Sequence, residues 1–143
     1  MKTSEELAER FRAEGLRITP QREQIFRVLA GNQSHPTAEA VWAAVREQMP
    51  SVSQKTVYET LHELVGLGEL QQIDLGLGAR KYDPNVDEHH HLVCSSCGDV
   101  QDLHADFSHL TLPTDRGRGF AVANAEVIFR GVCANCQRAG KQA

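Results

Sequence analysis

Glu88-His89-His90-His91-Leu92-Val93-Cys94-Ser95-Ser96-Cys97-Gly98 packs three of the chain's seven histidines and two of its four cysteines into one short run. Imidazole nitrogen and thiolate sulfur are the donors that hold zinc and first-row transition metals. Cys133-Ala134-Asn135-Cys136 repeats the C-x-x-C spacing towards the other end of the chain. Two thiolates separated by two residues can turn around one zinc ion. Two such pairs complete a tetrahedral shell with zinc–sulfur distances of about 2.3 Å. With all four positions filled by sulfur, the expected zinc is structural rather than catalytic. It would tie the Val93 strand to the C-terminal end and contribute folding energy directly. A redox dithiol or disulfide and unpaired buried thiols are the alternatives. Two complete pairs with no cysteine left over favour the metal.

The histidines read differently. Side chains alternate faces along a strand, so His89 and His91 point one way and His90 the other. One face then offers two imidazoles to a single metal. The other offers His90 and, if the strand extends, Glu88. Oxygen donors lie nearby in sequence at Asp83 and Asp102. A mixed nitrogen and oxygen shell suits iron(II), manganese or zinc rather than copper(I). His35 sits in a loop ahead of a helix, where a ligand and a capping or surface residue are both possible.

Working outward to the N-terminal side, Leu7, Phe11 and Leu16 with Ser4 upstream give a short first helix ending at Gly15. Thr19-Pro20 opens the next: threonine is a natural N-cap, and proline at the first helical position loses an N–H that has no partner anyway. Ile25, Phe26, Val28 and Leu29 form its apolar face. His35-Pro36-Thr37 repeats the device, with Thr37 capping a helix that carries Ala40, Val41, Val45 and Met49 and stops at Pro50. Ser53 caps another, with Val57, Leu61, Leu64 and Val65 at helical spacing. Its first turn is polar, Gln54-Lys55-Thr56 with Tyr58, as in a recognition helix that enters a major groove. Glu69–Asp74 and Ala79–Asp83 read as two strands around Gly76-Leu77-Gly78. Helices followed by a hairpin make a winged helix.

Pro84-Asn85-Val86-Asp87 is the expected boundary. The reading is a winged helix-turn-helix domain over 1–83 and a small α/β metal-binding domain over 84–143, with a hinge at about 83–88: an α+β protein overall. In the second part His89–Val93, Val100–Leu103 and Phe120–Phe129 are expected as strands. Ala105–Leu112 is expected as a helix cut short by Pro113, followed by a polar loop over Thr114–Gly119. A unit of roughly 60 residues needs a staple, either metal or a partner subunit.

The 143 residues carry a formal net charge of −4, against a generic polyanion binder but compatible with a local basic face that reads DNA. No apolar run of about 18 residues predicts a membrane span. The charged start Met1-Lys2-Thr3-Ser4-Glu5-Glu6 is not a secretory signal. Paired C-x-x-C without one points to a reducing, cytoplasmic setting. A metalloenzyme is disfavoured because no H-E-x-x-H or comparable nucleophile or base motif accompanies the histidines. A zinc-stabilised interaction module without DNA binding is the other rival. It predicts that Lys55 and Tyr58 are dispensable.

Taken together, Arg17-Ile18-Thr19-Pro20-Gln21-Arg22, His35-Pro36-Thr37-Ala38, Ser53-x-x-Thr56-Val57-Tyr58-x-x-Leu61, Glu88–Gly98 and Gly131-Val132-Cys133-x-x-Cys136 resemble the ferric uptake regulator family, in the family's order and spacing from about Leu16 to Cys136. The resemblance implies a homodimeric repressor that binds a pseudo-palindromic operator in double-stranded DNA. The C-terminal part would dimerise and carry structural Zn(2+) on Cys94, Cys97, Cys133 and Cys136. A regulatory Fe(2+) or Mn(2+) would be held between the domains by His35, Asp83, His89, His91 and Asp102. Arg17, Arg22, Lys55, Thr56 and Tyr58 would face DNA. Aspartate at both 83 and 102, where the iron-uptake branch usually has glutamate, is similar to the peroxide-sensing branch. That branch implies oxidation of His35 or His89. A plain iron-, manganese- or zinc-responsive repressor is the alternative. Three departures stand out. Glu59 replaces the arginine that usually follows Val-Tyr. A further metal site of the family maps to Glu88, His90, His109 and Ala125, and alanine cannot ligate. The segment expected to form the dimer helix is interrupted by Pro113.

Overall fold

The computed structural model describes residues 1–142, which form two compact units, Met1–Asp87 and the residues from Glu88 onward. The first holds four helices and a hairpin: α1 (Ser4–Ala13), α2 (Pro20–Leu29), α3 (Ala38–Gln48), α4 (Gln54–Gly66), β1 (Gln71–Ile73) and β2 (Lys81–Asp83). Each helix starts on a hydroxyl cap. Thr19, Thr37 and Ser53 accept the N–H of Arg22, Ala40 and Thr56 as their spacing predicts. The cap of α1 is Thr3 rather than Ser4, because Thr3 and Glu6 form a reciprocal capping box. Phe11, Ile25, Phe26, Leu29, Val41, Val45, Val57, Leu61 and Leu64 are sealed from solvent and make one core. Phe11 meets Phe26 edge to face at 4.8 Å between ring centroids.

The wing is shorter than the sequence suggests. β1 and β2 pair antiparallel over three residues each, Gln71↔Asp83 to Ile73↔Lys81. The tip bends through Gly76 and Gly78, both at positive φ, which glycine adopts without strain. On its other edge β2 docks on the loop before α3. The Tyr82 N–H donates to the Pro36 carbonyl at 2.9 Å, and Thr37 bridges Lys81. A helix-turn-helix with this hairpin is a winged helix.

The second unit is a three-stranded sheet in the order β4-β3-β5, made of β3 (His90–Cys94), β4 (Val100–Leu103) and β5 (Ile128–Gly131), followed by the single-turn helix α5 (Ala134–Arg138). β3 and β4 are antiparallel, His91 opposite Asp102, across the tight turn that carries Cys97. β5 runs parallel to β3, His91 opposite Ile128. Two expectations fail here. Ala105–Leu112 is not helical: the Asp106 carboxylate takes the Ser108 N–H at 2.8 Å, a local turn that competes with helix formation. The strand expected from Phe120 begins only at Ile128, since Phe120 and Val122 lie exposed with no sheet partner. Beyond Asp87 the buried apolar side chains are only Val93, Cys94, Val100 and Cys136 among the described residues.

Candidate metal centres and DNA-facing helix

The β3–β4 turn and the start of α5 bring the four thiols together. Gly98 at φ +77 lets the chain reverse after Cys97, and the Gly98 N–H closes the turn on the Cys94 carbonyl at 2.9 Å. All four sulfurs lie within 4.8 Å of one another, and Cys97 Sγ is 3.8 Å from Cys133 Sγ. A disulfide needs about 2.05 Å, and no cysteine is paired. A tetrahedral ion with 2.3 Å bonds has sulfur–sulfur edges of about 3.8 Å, so the residues fit zinc. Electrostatics prepare one ligand. Cys94 accepts the Cys133 N–H at 3.3 Å, and with the Cys97 N–H this holds its thiol down to about 6. At Cys97 the Asp99 N–H favours the thiolate. The sulfurs of Cys94, Cys136 and Cys133, with burial, outweigh it and push the thiol up to about 12. Cys94 is thus primed as a thiolate, whereas Cys97 keeps its proton until a cation replaces it.

The nitrogen and oxygen donors fall into two groups, one in each unit. In the first, His35 Nε2 stands 3.3 Å from Asp83 Oδ2, both side chains buried. The docking of β2 on Pro36 and Thr37 makes this contact, because it sets the end of the wing against the loop. His35 holds φ +49; no other non-glycine among the described residues has a positive φ. The left-handed region costs a side-chain residue about 1–2 kcal/mol. In the second unit His89 Nε2 and His91 Nε2 lie 3.3 and 3.8 Å from the same Asp102 Oδ1. Ligands on a metal with bonds of about 2.1 Å stand from about 3.0 Å apart at right angles to about 4.2 Å apart on opposite sides, so this half-shell also fits a divalent ion. Sequence spacing put His89 and His91 on one face, and cross-strand pairing with Asp102 completes that set.

His90 does something else. Its Nδ1 accepts the Val127 N–H at 3.1 Å and its ring stacks edge-on to Phe107 at 4.8 Å. Glu88 and His109 are exposed, and they do not form a donor cluster with His90 among the described residues. One contact escaped the sequence: Glu126 Oε1 lies 2.6 Å from His91 Nδ1. No spacing rule pairs residues 35 positions apart across an irregular segment.

On α4, Lys55 and Tyr58 are exposed and Thr56 half-buried, hydrogen-bonded to its cap Ser53. Tyr58 donates its hydroxyl to Glu39 at 2.7 Å; this bond raises the phenol and lowers the carboxyl. Glu59 sits 3.6 Å from Lys55 and offsets its charge. Arg17 is exposed. Arg22 is committed internally, donating to the Arg17 carbonyl and pairing with Glu63 at 2.7 Å over the Phe11 ring.

A winged helix joined to a four-sulfur centre and to clustered imidazoles and carboxylates defines a metal-dependent DNA-binding regulator. The chain belongs to the ferric uptake regulator family, whose pattern it matches over residues 13–130. It is 31% identical over 137 residues to the peroxide-responsive repressor PerR of Staphylococcus epidermidis, covering 95% of this chain and 91% of that one. Its fold superposes on the Campylobacter jejuni peroxide stress regulator with a TM-score of 0.64, at 25% identity over 95% of this chain and 100% of that one. On the Helicobacter pylori ferric uptake regulator the TM-score is 0.75 at 22% identity, with 95% of both chains covered, a likeness of fold. The protein is a metal-responsive transcriptional repressor, not an enzyme. No helix among the described residues is long and apolar enough to cross a membrane.

Proposed function

We propose that this repressor senses peroxide through a regulatory iron(II), or is held in its DNA-binding form by manganese(II), at a site that His35 and Asp83 of the winged-helix domain share with His89, His91 and Asp102 of the second domain. One observation carries the reading: a half-shell of one imidazole and one carboxylate at the end of the wing, and another of two imidazoles and one carboxylate on the β3–β4 pair, with no thiolate in either. Five hard or borderline donors suit iron(II) and manganese(II). An ion taken by both half-shells fixes the angle between the domains, and its greater affinity for the closed arrangement drives the switch. Cys94, Cys97, Cys133 and Cys136 hold a separate zinc that maintains the second domain, which also dimerises. Exposed Leu92, Phe129 and Phe120 supply apolar surface for that contact. A cytoplasmic homodimer then presents two α4 helices to the half-sites of a pseudo-palindrome. Lys55, Thr56 and Tyr58 read the groove and Arg17 meets phosphate.

The peroxide reading rests on the peroxide-responsive relatives and on aspartate at both 83 and 102. Iron(II) held there would activate the O–O bond of hydrogen peroxide, the oxidant: one oxygen enters a ring C–H of the ligand imidazole of His35 or His89, which is oxidised, and the other leaves as water. The altered ring ligates poorly and DNA is released. The test is operator-fragment binding with iron, manganese or zinc, with and without peroxide, followed by peptide mass spectrometry. Iron-specific release with +16 on the His35 or His89 peptide is expected. Metal-dependent binding indifferent to peroxide, with no +16 species, leaves the plain metal-responsive repressor.

A further inference from the structure

We propose that Glu126 is a positioning residue for the regulatory metal: its carboxylate holds the His91 ring by Nδ1 so that Nε2 is presented to the ion. The inference rests on the metal-site reading above and adds a residue to it. Glu126 Oε1 stands 2.6 Å from His91 Nδ1, while His91 Nε2 faces Asp102. A carboxylate has no proton to donate at neutral pH, so Nδ1 carries the hydrogen and Nε2 is left with its lone pair. That is the tautomer a metal requires. A carboxylate on the far nitrogen also makes the imidazole a stronger donor.

The backbone shows how Glu126 reaches this position. Val127 is fastened on both sides to the histidine run. Its carbonyl accepts the His91 N–H at 3.1 Å and its N–H donates to His90 Nδ1 at 3.1 Å. Ile128 then enters the sheet opposite His91. Glu126, one residue ahead of this double anchor, is delivered beside the His91 ring. The three histidines therefore divide their labour: His89 and His91 face the ion, and His90 anchors the segment that brings the carboxylate to His91. The Glu126 side chain is 44% exposed, so it can be replaced without opening the core.

The test uses the full chain, loaded with zinc at the cysteine site. Manganese(II) is titrated and free ion is counted by electron paramagnetic resonance, for wild type, Glu126→Ala and Glu126→Gln. The His91 tautomer is read by nitrogen-15 NMR before manganese is added. Wild type should bind one equivalent and show Nδ1–H. Glu126→Ala should bind about tenfold or more weakly, within the 10–100-fold range for such partners, and its tautomer should become mixed. Glu126→Gln, which keeps an acceptor without the charge, should fall between. Unchanged manganese affinity in Glu126→Ala overturns the inference, even if its melting temperature drops. An Nε2–H tautomer in wild type overturns it as well. Asp102→Ala separates the two readings: if wild type binds no manganese, or Asp102→Ala binds it as well as wild type, the metal site itself falls and this role falls with it.

Discussion

Replacing Cys97 by serine should unfold the second unit and leave the first intact. Past Asp87, Val93 and Val100 are the only buried aliphatic side chains among the described residues; the other two buried apolar groups are thiols of the cluster. Burying a valine contributes about 1.5–3 kcal/mol, so the pair supplies roughly 3–6 kcal/mol. Ordering each residue's backbone costs about 1–2 kcal/mol, and three short strands cannot recover that from two valines. A four-thiolate zinc contributes about 10–16 kcal/mol. Zinc is then the largest stabilising term in this unit. Serine keeps the shape at position 97 but does not ionise. The assay is amide hydrogen exchange of His90–Cys94 and Val100–Leu103, with zinc content measured in parallel under reducing conditions. In Cys97→Ser, or in wild type stripped by a chelator, these amides should lose protection while α2 and α4 keep theirs. If stripped protein retains strand protection within about tenfold, equivalent to about 1.4 kcal/mol, zinc is not what holds the sheet and the reasoning is wrong.

Four further outcomes follow from the same geometry. Zinc uptake should release one more proton at pH 5 than at pH 7.5. Cys94, held near 6, is already a thiolate above that pH and must be deprotonated below it, whereas Cys97, pushed to about 12, gives up its proton throughout; calorimetry in buffers of different ionisation enthalpy counts the difference. His35→Gly and His35→Ala leave the same space, but only glycine accepts φ +49 freely, so the glycine variant should be the more stable by about 1 kcal/mol in chemical denaturation, although both lose manganese-dependent operator binding. Arg17→Ala should weaken binding to all DNA sequences alike and reduce the salt slope by about 1, as the loss of a phosphate contact does. Glu59→Ala removes the carboxylate 3.6 Å from Lys55, so it should raise non-operator affinity and steepen the slope; an unchanged slope would place the pair away from DNA.

Much of the first unit was legible because its signals are local. Thr19-Pro20, Thr37 and Ser53 announce helix starts within three residues of the donors they satisfy, and the apolar spacing of Ile25, Phe26 and Leu29 or Val57, Leu61 and Leu64 repeats within two turns. The wing lies where the glycines of its tip and the flanking strand residues predict, but β1 and β2 pair over only three residues each. The four-sulfur centre was readable from spacing alone, because C-x-x-C is itself a statement of geometry. In the second unit the reading weakens where structure comes from distant partners. Ala105–Leu112 has helical composition but an Asp106 turn, and the stretch from Phe120 to Ala125 has strand composition but belongs to no strand.

The histidine run shows why alternation was the right principle and still an incomplete one. Period-two geometry separates His90 from His89 and His91, and the burial pattern of β3 follows it. It says nothing about what waits on each face. Asp102 arrives on one side by antiparallel pairing with a strand nine residues beyond His91 starts, close enough to suspect from sequence. The Val127 N–H and the Glu126 carboxylate arrive by a parallel crossover, whose register depends on where β5 begins. Sequence placed that start at Phe120, eight residues before Ile128. A different start moves every residue opposite the histidines, so the His90 anchor and the Glu126 contact could not be found until the register was known. Residues contributed by local turns and hairpins are readable in this chain. Residues contributed by the parallel strand are where its unassigned chemistry lies.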